Sequence, residues 1–65
     1  MDYTAQDLAE AKRQIDSTVH KLKAVLATLE AKEDPARYKS QITPAQRRVR
    51  AFELAGSLID RELGR

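Results

Sequence analysis

The segment from Ile42 to Leu63 constrains this chain most, because it reads as one helix with too much apolar surface for a single neighbour. Its apolar and small residues, Val49, Ala51, Phe52, Leu54, Ala55, Gly56, Leu58, Ile59 and Leu63, span a helical-wheel arc of roughly 220°, about twice what a surface helix turns toward a core. Thr43-Pro44-Ala45-Gln46 supplies the start signals. The Thr43 hydroxyl caps, Pro44 at the first helical position gives up an N–H that has no partner there, and Gln46 closes a capping box. These signals predict a helix over 44–63, with Gly64 as its C-terminal cap. Gly56 falls inside the apolar arc, where a missing side chain allows a close helix crossing.

A helix of this kind must be covered on two sides, and one other long segment exists. From Thr4 to Glu33 the pattern is helical: Leu8, Ile15, Leu22 and Leu29 recur every seven residues. Ala11, Thr18/Val19 and Val25/Leu26 fall between them and complete one narrow, coiled-coil-like stripe. Alanine is frequent, and neither glycine nor proline interrupts the run. Thr4 followed by Asp7 sets a capping hydroxyl and an acid in the first turn. Asp34-Pro35 is the expected stop, since proline disfavours helix in the residue before it. The connection, 34–43, contains Pro35-Ala36-Arg37-Tyr38, a sequence suited to one helical turn. The longer first helix then overhangs the second by about 15 Å and leaves Leu8 uncovered.

The fold class this predicts is all-α: one antiparallel two-helix hairpin spanning 1–65, dimerising into a four-helix bundle. A chain of 65 residues buries little surface alone, and without cysteine it has no disulfide or thiolate metal site to compensate. Self-association, as a homodimer, is the expected source of burial, with a different protein partner leaving the same pattern. Val49, Phe52, Ala55, Gly56, Ile59 and Leu63 are the candidate dimer contacts.

Net charge is +2, but unevenly spread. Residues 1–34 carry −2 and residues 53–65 carry −1, while Arg37, Lys39, Arg47, Arg48 and Arg50 give +5 with no acid among them. That basic cluster, with Tyr38 inside it, is the candidate contact for an anion or a nucleic acid. The competing reading has its long stems covering the apolar seam or pairing with Glu30, Glu33 and Asp34 across the turn. No short-turn reading helix follows, so a helix-turn-helix is excluded.

Catalysis finds no constellation. His20 is the one histidine, and an exposed pair with Asp16 one turn earlier is its expected state. Asp16, Ser17 and His20 share a helix face without forming a pocket. No metal site or cofactor is expected, and the function predicted is that of a non-enzymatic interaction module. No apolar run is long enough to span a membrane. The acidic start Met1-Asp2-Tyr3-Thr4 lacks the layout of a secretion signal, so the cytoplasm is the expected compartment.

Overall fold

The computed structural model describes residues 3–65; the acidic start at Met1-Asp2 lies outside the described residues. Two helices pack side by side, α1 over Ala5–Glu30 and α2 over Lys39–Glu62, with a 3₁₀ turn over Pro35–Tyr38 between them. The described residues contain no strand. The packed pair measures 47 × 16 × 16 Å.

α1 begins where Thr4 and Asp7 place it. The Asp7 N–H donates to Thr4 Oγ1 at 3.0 Å and the Thr4 N–H to Asp7 Oδ2 at 3.1 Å, a reciprocal capping box that satisfies two end donors. Its C-terminus comes three residues before the expected Glu33. The last turn holds no base, and Glu30, Glu33 and Asp34 all oppose the negative end of the helix dipole. The chain therefore leaves the helix at Ala31 without waiting for Pro35. The helical turn expected at Pro35–Tyr38 forms as a 3₁₀ turn, with proline at its start.

α2 departs further from expectation, beginning at Lys39 instead of Pro44. Thr43 is no cap, and Pro44 lies inside the helix. The cause lies in the apolar register. Ile42, Ala45, Val49, Phe52, Gly56, Ile59 and Leu63 are spaced alternately three and four residues apart, which makes a heptad seam that starts before the proline. Every member of that seam is at least partly buried. Keeping Ile42 on the seam requires helix before Pro44. The longer α2, 24 residues against 26 for α1, shortens the expected overhang to a fraction of a turn. Leu8 is half-buried, in a shallow recess with Tyr3, Asp7 and Ala11.

Two ion pairs fix the register and show the helices to be antiparallel. Lys12 Nζ meets Asp60 Oδ2 at 3.0 Å, and Lys23 Nζ meets Glu53 Oε2 at 3.1 Å, so the partners descend α2 as α1 ascends. Between them is the close crossing expected at Gly56. A Cβ built there stands 3.0 Å from Lys12 Cε and 3.6 Å from Ile15 Cγ2. The tight contact is with the far end of a flexible side chain, so Gly56→Ala is expected to gain helix propensity, up to about 1 kcal/mol, while Lys12 swings aside. A urea titration should show a small rise in stability. Gly56→Leu, pressing on Ile15, should lower it by about 1–3 kcal/mol. Gly64 ends α2 at φ 77°, with the Arg65 N–H donating to the Asp60 carbonyl at 2.8 Å and the Gly64 N–H to Arg61 at 3.1 Å. That is the glycine-capped terminus expected from the sequence.

The core is thin. Among the described residues, Leu26, Leu29 and Val49 are the buried apolar side chains, each 8–9% exposed, and no side chain falls below 2%.

Candidate interaction surface

The long sides of the hairpin differ in chemistry because charges and apolar residues occupy different wheel positions. One edge is polar. Lys12 bridges two carboxylates, Asp16 at 3.3 Å on its own helix and Asp60 across the interface. Hydrogen bonds to Asp60 and then to Asp16 hold its ammonium above the ordinary lysine value. Lys23 and Glu53 continue the edge toward the turn. Further along α1, Glu10 accepts from Gln14 at 3.0 Å and pairs with Arg13, which together keep its carboxyl below the usual range. These four lysine and acid positions were not singled out from the sequence. Their signal was present: Lys12 and Lys23 flank the Leu8/Ile15/Leu22/Leu29 stripe, and Glu53 and Asp60 flank its counterpart on α2.

The outer side of α2 is apolar. Leu54 is 50% and Leu58 62% exposed, and Val25 on α1 is 52% exposed. Ala51 is exposed and Ala55 half-buried beside them. Of the six candidate dimer contacts, Val49 and Gly56 are buried and Phe52, Ala55, Ile59 and Leu63 half-buried. Val49, Phe52, Gly56, Ile59 and Leu63 belong to the seam turned toward α1. Ala55 alone belongs to the outer side. Within one chain, then, most of those residues meet α1, and the uncovered apolar groups are Ala51, Leu54 and Leu58.

Of the cluster's four bases on α2, Lys39, Arg47 and Arg50 fall within an arc of about 80°, and Arg48 stands apart. At about 100° per residue, Lys39 and Arg50 point to one side of α2, Arg47 outward, and Arg48 to the other side. The Arg48 guanidinium lies 5.9 Å from the centroid of the Phe52 ring, a cation–π contact in which its stem covers the seam. Arg37 sits on the 3₁₀ turn in a recess with Lys32, Glu33, Asp34 and Tyr38. Ion pairs among the described residues are Lys12–Asp16, Lys12–Asp60, Arg13–Glu10 and Lys23–Glu53. The expected latch from Glu30, Glu33 and Asp34 to the basic cluster is therefore replaced by the Lys12–Asp60 and Lys23–Glu53 clamps. The clamps join helix faces that lie opposite each other, whereas Glu30 ends α1 and Glu33 and Asp34 sit on the irregular backbone beyond it.

His20 is exposed, and the carboxylate expected beside it, Asp16, is taken by Lys12. No group of three histidine or acidic residues among the described residues is arranged to hold a metal ion. No helix of the described residues is long and apolar enough to cross a membrane. Comparison with protein-family models, with curated proteins and with solved structures finds no match. The fold and surface define a class in physical terms alone: an all-α helical hairpin with one ion-paired edge and one open apolar side.

Proposed function

We propose that this chain is a non-enzymatic helical interaction module that acts by self-association and by binding protein, two hairpins combining into a four-helix bundle. The observation that carries this reading is the uncovered outer side of α2, with Leu54 and Leu58 at least half exposed while the chain's own core amounts to three buried apolar side chains. Full burial of a leucine is worth about 1.5–3 kcal/mol, and a two-fold assembly covers each position twice. Association therefore supplies the burial that the single hairpin lacks.

Light scattering over a dilution series tests this, with circular dichroism on the same samples. The expected mass is twice the 7.3 kDa of one chain, with helicity and mass falling together at high dilution. A monomeric mass at every concentration, with helicity intact, would overturn self-association. Phe52→Ala, which removes the ring beneath Arg48 on the α1 seam, is expected to weaken folding and association together. An unchanged melting temperature would sink that coupling.

A second reading, nucleic-acid association through the turn, draws on Arg37, Lys39, Arg47 and Arg50, none of which holds an ion pair among the described residues. The low net charge of +2 and the placement of Arg48 on the Phe52 side, away from these residues, favour the first reading. Phosphate binding is steeply salt-dependent, so absence of a mobility shift with mixed DNA and RNA at low salt removes the second.

A further inference from the structure

We propose that the covering partner is a second copy of this chain, laid antiparallel along α2 on a second heptad seam: Arg48, Ala51, Ala55, Leu58 and Glu62. This inference rests on the self-association reading and adds to it the interface and its orientation.

The seam follows from spacing. These five residues are three, four, three and four apart, the repeat that keeps a stripe facing a partner helix. It runs one residue out of step with the α1-facing seam, and so lies about 100° further round α2. α1 covers the first seam. The second is uncovered, with Leu58 62% exposed and Leu54, at 50%, along its edge.

Its order is self-complementary in one direction only. Turned end for end about Ala55, the stripe sets Arg48 against Glu62 of the second copy, Ala51 against Leu58, and Ala55 against itself. Small faces large, and cation faces anion, twice over by symmetry. Run parallel, the same stripe sets Arg48 against Arg48, Glu62 against Glu62 and Ala51 against Ala51, which leaves like charges and a gap. Arg61, about 100° from Glu62, stays to the side of the stripe.

Three further observations agree. Glu62 sits in the last turn of α2, where an acid opposes the helix dipole, and it has no ion partner among the described residues. Arg48, 5.9 Å from the Phe52 ring centroid, pairs with no carboxylate among the described residues, which leaves its guanidinium donors for one on the second copy. The hairpin as a whole is also polarised: residues 19–54, around the turn, hold eight bases and four acids, whereas residues 3–18 and 55–65, at the open end, hold four bases and five acids. Antiparallel packing about Ala55 sets Arg47, Arg48 and Arg50 of one copy beside the open end of the other, where Asp60 and Glu62 lie.

The chain has no cysteine, so a single Ser40→Cys variant carries one spin label per copy at an exposed site on the first turn of α2. Ser40 is fifteen residues from Ala55, so two labels should stand about 45 Å apart in the antiparallel dimer and under about 20 Å in a parallel one. A dimeric mass with the short distance overturns the orientation and leaves self-association standing. A monomeric mass overturns both. Glu62→Arg is expected to weaken dimerisation about tenfold, two contacts being lost at once. Adding Arg48→Glu to it should restore affinity to within about threefold. A double variant no tighter than the single one would overturn the seam.

Discussion

A Leu26→Ala variant is expected to lose about 2–3 kcal/mol, the cost of removing a buried leucine from a site that closes only partly around the gap. For a chain of 65 residues, whose whole stability is of order 3–10 kcal/mol, that is a large fraction of the total, and at the low end of the range it melts much of the helicity at 37 °C. Leu26 matters this much because the core is so thin: with Leu29 and Val49 it makes up the buried apolar set. A urea titration followed by circular dichroism measures the loss. The informative control is Leu58→Ala, on the outer side of α2. In the hairpins that stay folded but unassociated on dilution, that change should cost within about 0.5 kcal/mol, as exposed positions do. Near the association midpoint it should cost more, because there the residue is covered. A Leu26→Ala variant with an unchanged midpoint would mean that α1 and α2 do not pack as described.

The pairing of two helices was legible because heptad spacing is a property of the sequence alone. Leu8, Ile15, Leu22 and Leu29 define the α1 stripe, and Thr4 with Asp7 fixes its start through bonds made within four residues. Gly56 and Gly64 were legible for a similar reason: one marks a close approach inside an apolar arc, the other the end of a helix. The partition of the 220° arc on α2 was not legible. An arc that broad contains two seams one residue out of step, and nothing local says which of them α1 takes. That choice belongs to the tertiary register set by Lys12–Asp60 and Lys23–Glu53. Hence Val49, Phe52, Gly56, Ile59 and Leu63 could be recognised as seam residues without showing which neighbour they meet. The basic cluster was legible as charge but not as placement: the helix keeps Lys39, Arg47 and Arg50 within about 80° of one another and turns Arg48 away.

Pro44→Ala is expected to stabilise the chain by up to about 3 kcal/mol. Pro44 is the sixth residue of α2. It cannot donate to the Ser40 carbonyl one turn back, and its ring crowds that same carbonyl. Both Ser40 and Pro44 are exposed, so water can reach the orphaned oxygen, which limits the cost without removing it. What holds the turn before Pro44 helical is Ile42, half-buried on the α1-facing seam. Alanine restores the missing bond and leaves that packing unchanged. The opposite result follows if the helix starts at Pro44, as the Thr43-Pro44-Ala45-Gln46 signals suggest. Proline at a first helical position is favourable, so alanine there would gain nothing. Thr43→Ala separates the two cases independently. It should cost about 1 kcal/mol if Thr43 caps the helix, and little if Lys39 to Ile42 are already helical. Amide hydrogen exchange reads the same distinction: in Pro44→Ala the N–H gained at position 44 should be protected by donating to the Ser40 carbonyl, whereas at a first helical position it would exchange freely.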